Sequence, residues 1–276
     1  MNESCRVFID NEPYHFDVDG DFFWGDKTLL FDEATSPISK MAWKNEGFGI
    51  IQAFSDSEFL KLKTSITQII IKALKAHVSD FEENTFTLEK YHEVITTDEL
   101  HNKVIDITRN LENSDFDFDI EVLVKHFSQV LGFEFTSYIE ELKKTHIQIR
   151  ISRPNSLDIN PPHRDGYLSY YQDIVNVWIP IHGCNSLSSL PVLPGSHLIP
   201  EHEILRTESK GAKINGNTYY VPCILKTKEG DMHMIRPNPK PGEALVFTPY
   251  LIHGSAVNKN PDQTRFSLEL RFPRVN

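Results

Sequence analysis

Cysteine is scarce in this chain: Cys5, Cys184 and Cys223 are the only three among 276 residues. Too few and too scattered for a disulfide framework or a zinc ribbon, they are expected as reduced thiols. Long apolar runs are missing as well. No stretch approaches the roughly 20 apolar residues of a membrane helix. The first twenty residues have neither the basic start nor the apolar segment of a secretory leader. The expectation is a cytoplasmic protein with no membrane partner. Positive charge is in deficit: 28 Lys and Arg stand against 39 Asp and Glu, for a net charge of −11. A nucleic-acid surface needs concentrated basic charge, which argues against that partner. A small-molecule partner is left open, because a basic pocket can sit inside an acidic protein. No internal repeat or low-complexity segment is present.

What is present suits one large core. The hydrophobic fraction is 39%, and the length is best read as a single domain over residues 1–276. Residues 1–144 read as N-terminal strands and supporting helices. Short strands are expected at Val7–Ile9, Phe22–Trp24, Leu29–Phe31 and Gly47–Ile51. Helices are expected over 55–77, where Ser55 and Glu58 have capping-box spacing, and over 97–111 and 119–131, the last closed by Gly132. From about Thr145 the texture becomes β-rich, with candidate strands at 145–152, 174–182, 190–194, 219–227, 243–248, 250–257 and 265–273. Strands at this spacing suggest a double-sheet jelly roll. The fold class is α+β, mainly β: a double-stranded β-helix core with N-terminal helices packed on one sheet.

Two fragments carry the chemistry. His163-Arg164-Asp165 is followed 90 residues later by His253-Gly254-Ser255, and Arg265 lies 12 residues beyond His253. In extended chain, residues i and i+2 share a face, so His163 and Asp165 point together while Arg164 points away. His253, at the end of another candidate strand, can supply a third ligand. Two imidazoles and one carboxylate with open positions suit non-haem iron(II). An arginine a short strand past the second histidine is placed to grip a dicarboxylate by a bidentate fork, with Arg271 on the same face as the fallback. Along Ile174–Ile181, Asn176 and Trp178 share one face and Val175, Val177 and Ile179 the other, as expected for a strand between an aliphatic core and a polar cavity.

The ordered fragments Pro162-His163-Arg164-Asp165-Gly166-Tyr167, Val177-Trp178-Ile179-Pro180, Leu193-Pro194-Gly195-Ser196-His197, Gly242-Glu243-Ala244-Leu245-Val246-Phe247 and His253-Gly254-Ser255-Ala256-Val257-Asn258 resemble the phytanoyl-CoA dioxygenase-like superfamily of iron(II)/2-oxoglutarate-dependent oxygenases. The resemblance runs from about residue 44 to 273. It implies a jelly-roll oxygenase that uses 2-oxoglutarate and O2 as cosubstrates. It further implies His163, Asp165 and His253 as iron ligands, Arg265 and Ser255 on the distal carboxylate of 2-oxoglutarate, and Trp178 and Gln148 lining the cosubstrate pocket. Tyr167, Tyr170, Asn176, Arg150 and Arg271 are candidate substrate-lining residues. His197 is expected to pin a loop by a hydrogen bond. Loops 77–120 and 198–220 are the candidate specificity elements. The expected reaction is hydroxylation of a small polar metabolite or biosynthetic intermediate. The competing readings are an oxygenase acting on an acyl-CoA and a cupin-like isomerase or binding protein with another metal.

Overall fold

The computed structural model describes residues 2–156, 160–214 and 217–275; residues 215 and 216 of the candidate specificity loop lie outside this set. Among the described residues there are fourteen strands. They are β1 (Asn2–Ile9), β2 (Glu12–Gly20), β3 (Phe23–Trp24), β4 (Phe48–Gln52), β5 (Tyr138–Ile139), β6 (Lys144–Ser152), β7 (Ile174–His182), β8 (Ile204–Arg206), β9 (Ala212–Ile214), β10 (Asn217–Tyr219), β11 (Ile224–Thr227), β12 (Met232–Met234), β13 (Glu243–Phe247) and β14 (Arg265–Pro273). Four α-helices accompany them: α1 (Asp56–His77), α2 (Tyr91–Val94), α3 (Asp98–Thr108) and α4 (Glu121–Leu131).

Local sequence explains the helix ends. Ser55 caps α1: its hydroxyl accepts from the Glu58 amide at 3.4 Å, while the Glu58 carboxylate accepts from the Ser55 amide at 2.8 Å. The Thr97 hydroxyl accepts from the Leu100 amide at 3.3 Å and starts α3. Gly132, in the left-handed region at φ 71°, closes α4.

The largest sheet runs β4-β13-β7-β14-β6-β5. Alternation along its strands gives it two unlike faces. Ile147, Ile149, Val175, Val177, Ile179, Leu268, Leu270 and Phe272 point to one side and pack against Leu62, Ile66 and Ile70 of α1, Val104 of α3 and Leu123 and Phe127 of α4. The helices therefore cover one face of the sheet, as expected. By the same alternation, His146, Gln148, Arg150, Asn176, Trp178, Ser267, Glu269 and Arg271 occupy the opposite face. The registers Gln148↔Glu269 and His146↔Arg271 set them side by side.

A second layer faces that polar surface. It contains the sheet β10-β9-β2-β1-β12 and the small sheet β11-β8-β3, built around Val7, Ile9, Val18, Ile204, Met232 and Met234. Cys5 and Cys223 are free thiols in this second core, and burial pushes Cys5 up to about 12. Toward the large sheet the layer thins to single bridges, His163↔His253, Val192↔His253 and Val192↔Ile235. Segments 190–194 and 250–257, expected as strands, supply only these bridges. Pro191 and Pro194 lack the amides a ladder needs, and Gly254 (φ 130°) and Ser255 (φ 53°) leave the extended region. Residues 29–31 form no strand either; Phe31 is buried edge-on against His197, with ring centroids 4.6 Å apart. Where only Val7–Ile9 was expected, β1 and β2 make a long hairpin. Its turn residues Asp10 and Asn11 have φ 52° and 68°, the geometry of the tight turns that favour Asp and Asn.

Candidate metal centre and adjoining pocket

The reciprocal backbone bridge between His163 and His253 fixes both histidines: the His163 amide donates to the His253 carbonyl at 3.0 Å and the His253 amide returns the bond at 3.1 Å. Their ring centroids are 4.3 Å apart. Gly254 permits this approach, since a Cβ there would collide with the Pro161 carbonyl. That carbonyl accepts from His163 Nδ1 at 2.7 Å, and the Leu251 carbonyl stands 3.0 Å from His253 Nδ1. A carbonyl can only accept, so each Nδ1 carries the proton and each Nε2 presents a lone pair. Asp165 receives both. His163 Nε2 lies 3.7 Å from its Oδ1 and His253 Nε2 lies 3.7 Å from its Oδ2. One ligand atom from each residue falls within 4.8 Å of the others, and all three side chains are buried. Burial, with His163 beside it, lowers His253 to about 4, so no proton competes there at neutral pH. Two lone pairs and one carboxylate converging on one point fit a divalent ion such as iron(II).

Sequence placed His163 and Asp165 on one strand. In the structure a single bridge ends at His163 and a 3₁₀ turn, Asp165–Tyr167, begins two residues later. Arg164 between them is extended (φ −115°, ψ 128°), so the side chains still alternate. Arg164 points away and is fully buried, donating to Glu201 and to the carbonyls of Ser196 and Ile199.

Asp165 has a further partner. Arg271 donates to both its oxygens at 3.0–3.2 Å. Burial alone would raise the Asp165 carboxyl; Arg271 instead holds it well below the usual carboxylate range. Arg271 also donates to His146 Nε2, which leaves the proton on Nδ1 to be donated to the Tyr171 hydroxyl at 3.0 Å. The Tyr171 ring lies 4.5 Å from the guanidinium carbon. Burial and then Arg271 lower His146 well below its ordinary value. Arg271 is thus placed against Asp165, whereas the sequence offered it as a second candidate for the cosubstrate.

Beside the triad, Asp165, Asn176, Trp178, Phe247, Glu269 and Arg271 line a pocket. Three buried polar atoms, Trp178 Nε1, Asn176 Nδ2 and Ser255 Oγ, have no hydrogen-bond partner among the described residues. Unmet buried donors are costly, and a polar ligand would satisfy them. Arg265 is buried at the start of β14 on the same face and donates to Ser267 Oγ at 3.0 Å. Gln148 is buried on that face too.

Tyr167 sits elsewhere. The 3₁₀ turn carries it into the second core, where its hydroxyl donates to Glu201 at 3.2 Å and its ring lies 4.6 Å from the Arg206 guanidinium. Tyr170 is half-buried, edge-on to Tyr171 at 4.5 Å. His146 and Glu269 were not singled out from sequence, although each lies two residues along a strand from a residue that was. Arg150 is half-buried, with its Nε 3.0 Å from Glu269 Oε2.

His197 pins its loop to Lys44: its Nε2 donates to the Lys44 carbonyl at 2.9 Å, and Nδ1 is buried with no partner among the described residues. Burial lowers its pKa from 6.5 to about 4. The unfolded chain takes a proton that the folded chain refuses, so stability should fall as pH drops from 6.5 to about 4. The shift corresponds to about 3 kcal/mol. Denaturant titrations across that window should show wild type losing more stability than His197→Gln; parallel curves would remove His197 from the account.

A family profile described as Phytanoyl-CoA dioxygenase (PhyH) matches residues 43–267. No curated protein matches by sequence. Among solved structures, AviO1 from Streptomyces viridochromogenes Tue57 is 16% identical and aligns over 90% of this chain and 96% of its own, with a TM-score of 0.49. EctD from S. alaskensis, solved with 2-oxoglutarate and 5-hydroxyectoine, is 15% identical over 92% of this chain and 83% of its own, with a TM-score of 0.45. The epimerase SnoN, in complex with Fe3+, alpha-ketoglutarate and nogalamycin RO, is 11% identical over 84% and 80%, with a TM-score of 0.44. All three are distant likenesses. Among the described residues no helix is long and apolar enough to cross a membrane.

Proposed function

Because the chain belongs to the phytanoyl-CoA dioxygenase (PhyH) family, we propose that it is an iron(II)/2-oxoglutarate-dependent dioxygenase that hydroxylates a small polar metabolite or biosynthetic intermediate. One observation carries the reading. Two imidazoles with their Nδ1 protons tied to carbonyls turn both Nε2 lone pairs to one carboxylate, beside buried donors that lack partners.

His163, Asp165 and His253 would hold the metal by one face and leave the other to ligands. The bound iron would supply the oxygen chemistry, and 2-oxoglutarate the two electrons it needs, leaving as succinate and carbon dioxide. The chain supplies placement. Arg265, with Ser255, would take the distal carboxylate, since a buried guanidinium offers a charge-assisted fork. Trp178 Nε1 and Gln148 would orient the cosubstrate, and Asn176 Nδ2, unpartnered in the pocket wall, would be left for the substrate. Phe247, Leu190 and Trp178 wall the pocket with apolar surface that keeps water from the reacting atoms.

Asp165 also bears on the outcome. With a carboxylate as third protein ligand, no position remains for a halide once cosubstrate and oxygen are accommodated. The expected product is hydroxylated, or desaturated or cyclised, and never halogenated. The test is a mass-spectrometric screen of polar metabolites with 2-oxoglutarate, oxygen-18 gas and excess halide. One labelled oxygen gained together with succinate supports the proposal. A halogenated product, or conversion that continues without oxygen and 2-oxoglutarate, overturns it.

A further inference from the structure

The segment Leu193-Pro194-Gly195-Ser196-His197 supplies no metal ligand and no residue lining the pocket, yet it meets both arms of the triad. Gly195, in the left-handed region at φ 72°, leads into a 3₁₀ turn at Ser196–Leu198. Ser196 is fully buried there. Its hydroxyl accepts from the Ile252 amide at 2.8 Å, and the Ile252 carbonyl accepts from the Leu193 amide at 2.9 Å. Both backbone groups of the residue before His253 are therefore held by this one segment. The Ser196 carbonyl accepts from Arg164, the residue between His163 and Asp165. The turn is anchored from outside as well. The Gly195 amide donates to the Glu46 carbonyl at 2.9 Å, and His197 donates to the Lys44 carbonyl.

Glu201, 3% exposed, closes the segment. Its carboxylate accepts from Arg164, from Arg206 Nε at 2.8 Å and from the Tyr167 hydroxyl at 3.2 Å, while its amide donates to the Thr28 carbonyl at 2.9 Å. Stability alone does not account for this arrangement. A buried ion pair such as Arg164–Glu201 gains little over apolar side chains of the same volume, because both charges lose their water. What it does is select one geometry. The guanidinium meets Glu201, the Ser196 carbonyl and the Ile199 carbonyl together, which fixes its placement. Arg164 is one residue from each of two ligands, so holding it holds their backbones. The backbone bridge between the two histidines stops at His163 and does not reach Asp165.

We propose that Ser196 is a positioning residue for the metal centre. Through Ile252 it holds His253, and through Arg164 it holds His163 and Asp165, in the spacing that one ion requires; Glu201 anchors the Arg164 side by charge. The proposal rests on the metal reading given above. Without the Ser196 hydroxyl the Ile252 amide is left buried and without that acceptor. The two arms then spread over more arrangements, and apparent metal affinity falls with the fraction that stays competent to bind.

The test compares Ser196→Ala with Ser65→Ala, read without turnover. Ser65, on α1, is also buried, and its hydroxyl accepts from the Asp117 amide at 2.9 Å. The two changes remove the same kind of bond, so both should lower the melting temperature of the metal-free protein. Cobalt(II) is titrated into each variant and into wild type, with affinity read against a competing chelator and the visible absorption recorded. Ser196→Ala should bind cobalt about tenfold more weakly and with an altered visible spectrum. Ser65→Ala should match wild type in both. Glu201→Gln keeps an acceptor for Arg164 but removes the opposing charge; it should weaken cobalt in the same way, and it answers if Ser196→Ala does not fold. Wild-type affinity and spectrum in Ser196→Ala, or the same loss in Ser65→Ala, overturns the proposal. Failure of the metal reading itself shows separately, as a wild type that takes up no cobalt.

Discussion

Replacing Asp165 by alanine should do more damage than replacing either histidine. Each of Asp165→Ala, His163→Ala and His253→Ala removes one of three converging ligands, so metal retention and turnover should fall to background in all three. Asp165→Ala should also destabilise the metal-free protein, because it strands Arg271, whose side chain is 8% exposed. Breaking a buried pair by removing one partner costs about 3–5 kcal/mol. The histidine variants leave no charge unpaired. Calorimetry of the metal-free proteins separates the cases: a clearly lower melting temperature for Asp165→Ala alone is expected. Equal melting temperatures would mean that Arg271 finds another partner or water. Stoichiometric iron retained in a His163→Ala, His253→Ala double variant would remove the metal assignment.

Arg265→Ala should abolish useful affinity for 2-oxoglutarate while iron stays in place. A desolvated carboxylate that loses a charge-assisted bidentate partner loses about 2–5 kcal/mol, or about thirtyfold to several thousandfold in affinity. Arg265 is 3% exposed, so solvent offers little compensation. Arg271→Ala acts differently, because its partner is Asp165, and its first effect should be on metal retention. Isothermal titration of 2-oxoglutarate into the two zinc-loaded variants distinguishes them. Normal binding to Arg265→Ala together with lost binding to Arg271→Ala would exchange the roles of the two arginines.

The centre of the large sheet was legible from the alternation along its strands. Ile174–His182 and Arg265–Pro273 alternate between aliphatic and polar residues, and both strands were expected over the same residues that form them. The capping box at Ser55 and the glycine at 132 marked helix ends by local chemistry alone. The second layer was harder. Its segments near the metal centre look apolar and strand-like, but Pro191, Pro194, Gly254 and Ser255 reduce them to single bridges. The hairpin partner Glu12–Gly20 carried a readable signal, with Tyr14, Phe16 and Val18 alternating against His15, Asp17 and Asp19. In the candidate site, the triad could be read because its residue types are few and its spacing is local or strand-ended. The Arg271–Asp165 fork could not, since it depends on the β14–β6–β7 register and on a 3₁₀ turn after Arg164. That same turn takes Tyr167 to Glu201, although sequence proximity to Asp165 suggested the pocket.

The most direct measurement is succinate formed from 2-oxoglutarate by the purified protein with iron(II), ascorbate and oxygen, with and without a metabolite extract. The expected result is oxygen-dependent succinate from wild type, none from the His163→Ala, His253→Ala double variant, and a rise when the extract is added. No succinate from wild type under any of these conditions, or equal amounts from wild type and the double variant, would contradict the assignment of His163, Asp165 and His253 as the centre of an iron(II)/2-oxoglutarate oxygenase.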